Sequence, residues 1–305
     1  MMTSESSAAI LGIDAGTESV RVGLFDYSGR LLAKAAAPYS TNYPRSGWAE
    51  QNPDDWWSAL VSAVRLCLGQ AKIPGKRISG ISADATTCTL LPLAANGRPL
   101  RPALLWMDVR ATHQAKQISE TNHPALCYCP SGCSPEWMLS KALWLKQHEP
   151  HIFAQTACFV EYLDWLMYRL TGRLALNLNT ATQRWFYNRR KGGWPLDLFA
   201  AVGLPDLVSR IPPEVLAPGE RVGSLTPEAA QALGVPANIP VFEGGGDAFI
   251  ALLGLNVTEP GKVGLITGSS SVVATFTRAE VHGLGVFGGF PDAVIPGLWL
   301  VEGGQ

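Results

Sequence analysis

Between residues 239 and 253 the chain runs through Ile239-Pro240-Val241-Phe242, then Glu243-Gly244-Gly245-Gly246-Asp247, then six apolar residues to Leu253. A short β-prone run, three glycines and an apolar helical run describe a strand, a tight turn and a helix that starts on a carboxylate. That unit constrains the architecture more than any other stretch. Direct passage from strand to helix is the connection of α/β sheets, whose sites gather outside the carboxyl ends of the strands. Consecutive glycines admit an approach that a Cβ forbids, and here they would leave space for a substrate. Asp247 then reads either as a reactive carboxylate or as an ordinary helix cap; the glycine triplet favours the first.

The N-terminus carries a different turn. Ala8–Ile13 is an apolar run ending at Asp14-Ala15-Gly16-Thr17, and Val20, Val22 and Leu24 then alternate with Arg21 and Gly23. Tyr27-Ser28-Gly29 is a turn, and Arg30–Ala36 reads as a third strand. The polar turn therefore joins two strands, which excludes a dinucleotide fingerprint because that motif needs a helix. A glycine in such a hairpin lets backbone N–H groups approach phosphate oxygens. Thr17 and Ser19 add hydroxyls, Arg21 can pair with phosphate charge, and Asp14 can hold a hydrated Mg²⁺. The plain alternative is a polar hairpin with an Asx turn. Lys262–Thr267, Gly268-Ser269-Ser270-Ser271 and Val272–Phe276 repeat the strand–turn–strand idea and would form a second phosphate grip.

Elsewhere the helix signals are capping signals. Asn52-Pro53-Asp54-Asp55 opens a helix to about Ala71, and Ser134-Pro135-Glu136 opens another by the same logic. Glu161–Leu170 is apolar at helical spacing and closes at Thr171-Gly172, while Thr226-Pro227-Glu228 begins a short helix that Gly234 ends. Ile78–Ala83 and Thr87–Pro92 read as strands joined through Asp84-Ala85-Thr86, and Leu298–Val301 as a final strand. Residues 195–221 read as loops and short helices.

Composition narrows the function. The 305 residues are 47% hydrophobic and carry a net charge of −1, with 16% charged residues. A large core is affordable, and no basic field exists for nucleic acid or an anionic membrane. Met1–Ala9 lacks a basic and apolar leader, so six cysteines read as reduced thiols in the cytoplasm. Cys127-x-Cys129-x-x-x-Cys133 lacks a fourth ligand for a metal, and the five histidines show no ligand spacing. Trp56 and Trp57 read as packing residues, and Lys141 as a solvated helix residue.

Three motifs in order resemble the FGGY carbohydrate kinase family: Asp14-x-Gly16-Thr17-x-Ser19-x-Arg21, Gly244-Gly245-Gly246-Asp247 with Gly254, and Thr267-Gly268-Ser269-Ser270. Segments 47–53, 105–111 and 296–305 are similar to the family's segments before its first helix, at its sugar site and at the end of its first domain. Within the family the likeness is to ribulokinases. The resemblance implies an α/β, actin-like (ribonuclease H-like) domain with a mixed central sheet and flanking helices. It implies that residues 1–305 are the sugar-binding domain, with the adenosine-binding second domain absent. Asp247 would be the general base. Asp84, Thr86, Trp106, Asp108, Arg184 and Glu302 would face the sugar. Asp14, Gly16, Thr17, Ser19, Arg21, Gly268, Ser269 and Ser270 would face ATP, with Asp14 on Mg²⁺ through water. Arg184 stands where ribulokinases place a sugar-contacting lysine.

The expected function is transfer of the ATP γ-phosphate to a hydroxyl of a ketopentose, ribulose- or xylulose-type, or a related polyol, weak or absent in this chain alone. The alternatives are a non-catalytic sugar-binding or regulatory protein of kinase ancestry and an actin-like ATPase of the chaperone type. The implied partners are a small sugar, the second domain in cis or trans and, as an option, a second copy of the chain. Neither nucleic acid nor a membrane is among them.

Overall fold

In a computed structural model that describes residues 8–267 and 271–304, the N-terminal alternation becomes an antiparallel meander. It comprises β1 (Ala9–Ala15), β2 (Ser19–Asp26) and β3 (Leu31–Pro38). Helix α1 (Pro53–Ala71) follows, capped by Asn52, whose side chain accepts the Asp54 N–H at 3.2 Å. Its buried stripe includes Trp56, Leu60, Ala63, Val64 and Cys67. Trp56 stacks on Tyr162 at 3.7 Å between ring centroids. Strand β4 (Ile78–Ala85) then returns parallel to β1. Asp84 and Ala85 thus belong to the strand, in register with Asp14 and Ala15, and not to a connection. The segment after them does not continue as a strand at once: Cys88 has a left-handed backbone (φ 60°), and pairing resumes at Leu90, bridged to Leu104, and continues through Leu91–Leu93.

Helices α2 (Met138–His148), α3 (Tyr162–Thr171) and α4 (Leu178–Arg184) come next. Helix α2 starts later than Ser134 signals. Ser134 first closes a turn of its own, its hydroxyl accepting from the Glu136 N–H at 3.2 Å and its carbonyl from the Trp137 N–H at 3.2 Å. Helix α3 ends as expected on left-handed Gly172. Strand β5 (Arg221–Ser224), helix α5 (Pro227–Leu233) and strand β6 (Pro240–Phe242) complete a six-stranded sheet in the order β5-β6-β4-β1-β2-β3. Strands β1, β4 and β6 are parallel and the rest antiparallel, which is the expected mixed central sheet, flanked by α1, α3 and α5.

After helix α6 (Asp247–Gly254), strands β7 (Val263–Thr267), β8 (Ser271–Thr277), β9 (Phe287–Pro291) and β10 (Trp299–Gly304) form a separate antiparallel sheet, ordered β7-β8-β10-β9. Its inner face, with Ala274, Phe276, Phe290 and Leu300, joins a second core that includes residues of α2 and α4. Its outer face leaves Val263 63%, Leu265 61% and Val273 44% exposed. No helix among the described residues is long and apolar enough to cross a membrane.

Candidate active site

The β1–β2 turn is held from three directions. Within it the Gly16 N–H donates to Ser19 O at 3.1 Å. The Tyr39 hydroxyl donates to Gly16 O, and Gln51 Nε2 donates to Thr17 O at 2.7 Å. Trp106 Nε1 donates to the Thr17 hydroxyl at 3.0 Å. Trp106 thereby ties the expected sugar segment to the expected phosphate turn. Arg21 faces Asp14 across the ladder, with Nη2 2.9 Å from Oδ2 and 3.1 Å from Oδ1. A Cβ on Gly16 would lie 3.1 Å from that guanidinium, so glycine leaves the Arg21 side chain its path.

Three carboxyls share one electrostatic field at the carboxyl ends of β1 and β4. Burial raises the Asp14 carboxyl, and Arg21 opposes the rise. Asp84 is pushed well above the usual range by burial first, then by Asp14 and Asp247. Its Oδ1 is buried and accepts no hydrogen bond. Burial lifts Asp247 to about 6, although the Ala248 N–H donates to its Oδ1 at 2.7 Å. Three carboxyls in one field attract a cation, and the orphaned Asp84 oxygen is open to one or to its water. A carboxylate lifted to about 6 is also poised to take a proton near neutrality.

The glycine triplet that presents Asp247 has a different reason from the one expected of it. A Cβ on Gly244 would sit 1.9 Å from Ala83 O, and one on Gly246 would sit 2.2 Å from Thr87 Cγ2. The space is filled by β4 and its extension, not kept for a substrate. The Ala85 N–H donates to Gly245 O at 3.2 Å. From α4, Asn177 Nδ2 donates to Gly244 O at 2.8 Å and to Glu243 Oε1 at 3.0 Å, while Asn179 Oδ1 accepts the Gly246 N–H at 2.8 Å. These two asparagines fix the turn and escaped the sequence reading. The signal was there, since Asn177 is the cap of α4 and accepts the Thr180 N–H at 3.2 Å.

At the far end of α4, Arg184 meets Glu302 of β10 in a two-pronged ion pair of 2.6 and 3.2 Å. Both are buried, and the guanidinium lies 5.5 Å from the Trp137 ring centroid and 5.6 Å from that of Phe249. Burial works against the Arg184 charge, but the charge and hydrogen bonds of Glu302, with Cys88 and Glu161 nearby, together exceed it and hold Arg184 firmly protonated. Behind the pair, burial pushes Glu161 up to about 8. Thr86 sits at the carboxyl end of β4, nearly buried, its N–H donating to Ala15 O at 3.1 Å.

Two expectations need correction. Asp108 is 0% exposed, with both oxygens committed to Arg110 (2.7–3.0 Å) and one also to the Ala49 N–H (2.7 Å). It anchors its loop and has no lone pair aimed at a substrate. Lys141 is 0% exposed rather than solvated; its ammonium donates to Cys88 O at 2.6 Å and Leu105 O at 2.5 Å, and burial lowers it to about 8. It ties the left-handed Cys88 to the residue preceding Trp106. Gly268, Ser269 and Ser270 lie outside the described residues.

The mixed sheet, the clamped hairpin and the strand-end carboxylates define a sugar-kinase type of actin-like domain, and similarity to known proteins agrees. Residues 9–254 match the FGGY family of carbohydrate kinases, N-terminal domain, and the chain belongs to that family. A ribulokinase of Shouchella clausii (strain KSM-K16) is 32% identical over 326 residues, spanning 97% of this chain and 58% of the relative. An FGGY carbohydrate kinase domain-containing protein of Homo sapiens is 33% identical over 323 residues, with the same coverage of 97% and 58%. The crystal structure of xylulose kinase from Rhodospirillum rubrum superposes with a TM-score of 0.87 at 25% identity, over 97% of this chain and 60% of that one. The chain spans less than two thirds of the length of these relatives.

Proposed function

We propose that this chain is the sugar-binding, base-bearing part of an ATP-dependent kinase acting on a ketopentose of the ribulose or xylulose type, or a related polyol. The observation that carries the reading is Asp247: a carboxylate lifted to about 6, held by the α4 asparagines at a strand end, and sharing a field with Asp14 and Asp84. In the reaction Asp247 takes the proton of a sugar hydroxyl as that oxygen bonds to the γ-phosphorus of ATP and the bond to the β-bridging oxygen breaks, releasing ADP. Most of the rate comes from positioning and charge neutralisation. Arg184, Glu302, Thr86, Asp84 and the Trp106 face hold the sugar. Thr17, Ser19 and Arg21, with Gly268, Ser269 and Ser270, face the phosphates. Asp14 would hold Mg²⁺, which would supply neutralisation of phosphate charge. Asp108 has no direct part.

The relatives' extra length supports a second, adenosine-binding unit, and the exposed apolar face of β7 and β8 supports a surface for it to cover. The family match covers residues 9–254, and strands β7 to β10 form their own sheet. Glu302 of that sheet nevertheless pairs with Arg184, so we keep residues 1–305 as one sugar-binding unit. A coupled ADP-release assay tests the reading: the chain alone turns over weakly or not at all, and robust sugar-dependent turnover would sink the two-unit scheme. Thermal-shift screening against ketopentoses and polyols tests the sugar itself; no stabilisation by any member would remove it.

A further inference from the structure

We propose that Cys127, Glu280 and His282 form a binding site for a thiophilic divalent cation of the zinc class. Cys127 lies in the 3₁₀ turn Pro124–Tyr128, and the other two lie on the connection from β8 to β9. One sulfur, one carboxylate oxygen and one ring nitrogen from these residues fall within 4.8 Å of one another. Zinc bonds of about 2.0–2.3 Å place tetrahedral ligand atoms roughly 3.3–3.8 Å apart, so small side-chain shifts close the site.

The surroundings prepare each ligand. His282 Nδ1 is 2.7 Å from Gly288 O. A carbonyl only accepts, so Nδ1 carries a hydrogen and Nε2 is the atom turned to the metal, the arrangement that orients ligating histidines. Nε2 is already 3.0 Å from Glu280 Oε1. The Tyr128 ring meets the imidazole edge-on at 5.5 Å and restricts its rotation. Lys191 Nζ lies 2.7 Å from the same Glu280 Oε1 and holds the carboxylate beside the imidazole. A histidine, glutamate and lysine alone would be an ordinary ion-pair cluster. The thiol changes the class, because sulfur with nitrogen and oxygen selects a borderline-soft metal over Mg²⁺ or Ca²⁺. Cys127 is half-buried, whereas the other five cysteines are buried. Burial raises its thiol and the nearby Lys191 opposes that rise. Three protein ligands leave a fourth position for water.

The bound cation would join the 3₁₀ turn to the connection leading into β9, whose Phe287 is in register with Glu302. The 305-residue chain, stripped with a chelator, is titrated with Co²⁺. The expected result is one equivalent bound with a thiolate-to-cobalt charge-transfer band and tetrahedral d–d bands, both displaced by Zn²⁺. Cys127→Ser abolishes the charge-transfer band, Cys129→Ser leaves it unchanged, and His282→Gln and Glu280→Gln each weaken affinity about tenfold or more. Far-UV circular dichroism confirms that each variant is folded, and His282→Gln serves where Cys127→Ser is not. No charge-transfer band at stoichiometric Co²⁺, or an affinity unchanged by His282→Gln and Glu280→Gln together, overturns the proposal.

Discussion

Arg184 and Glu302, 118 residues apart in the chain, form a buried two-pronged ion pair that ties helix α4 to strand β10 of the second sheet. Removing one partner strands the other charge away from water, which costs roughly 3–5 kcal/mol. Glu302→Leu and Arg184→Met should each lower the urea midpoint strongly, and the double variant should lose less than the sum of the two. Strict additivity in that cycle would show that the pair is not coupled.

Asp247→Asn, made in a complete and active kinase, should leave sugar affinity within a few-fold and reduce turnover by about 10²–10⁴, the usual worth of a positioned base. The base must be unprotonated to work, so wild-type turnover should rise with pH through an inflection near 6. Steady-state kinetics across pH checks both, and retained turnover in the variant removes Asp247 from the chemistry.

Stability should fall as pH rises from mildly acid to neutral. Burial pushes Glu161 and Glu243 up to about 8 and Asp164 up to about 7. Unfolded, these groups titrate near about 4. Between those values the folded chain holds more protons than the unfolded one. The stabilisation is therefore complete below the unfolded values and lost as pH rises through about 7–8. Urea midpoints should drop between about pH 5 and pH 8, and Glu161→Gln should flatten the slope. A midpoint that climbs over this window contradicts the assignment.

Lys141→Met keeps the volume but leaves the Cys88 carbonyl without its ammonium donor, at about 1–3 kcal/mol, while Leu105 O keeps the Asp108 N–H at 3.0 Å. Sugar affinity should weaken with stability, because the same ammonium braces the residue before Trp106. Calorimetry on the folded variant showing unchanged affinity would confine Lys141 to stability alone.

Gly244→Ala places a methyl 1.9 Å from the Ala83 carbonyl. Both neighbours are backbone, so neither can swing aside, and the loss should be about 1–3 kcal/mol with Asp247 displaced. An alanine variant as stable as the parent would mean that the turn lies farther from β4.

Much of this molecule was legible in its sequence, and the failures have a common cause. Strand alternation and capping residues located β1, β2, α1, α3 and α5 closely, because those signals act over a few neighbouring residues. Asp108 was misassigned since its saturation depends on Ala49 and on Arg110 folding back, and neither is visible in a motif. Lys141 was misread because the carbonyls it serves lie 36 to 53 residues away. The glycine triplet was recognised as meaningful for the wrong reason: the sequence marks a close approach but not the object approached. Asn177 and Asn179 were missed because each acts on a turn 67 residues downstream.

The register that sets Asp14 opposite Arg21 has a consequence for ligand order under the proposed function. In the resting hairpin each side chain neutralises the other. A phosphate group that engages Arg21 draws off the guanidinium and leaves Asp14 uncompensated beside Asp84 and Asp247. A divalent cation is then held more strongly, since like charges no longer masked attract it. Linkage makes the effect mutual, so each ion raises the affinity for the other. On that proposal nucleotide and cation would arrive as a pair, and the hairpin would be an exchange point at which one internal counter-charge gives way to two external ones.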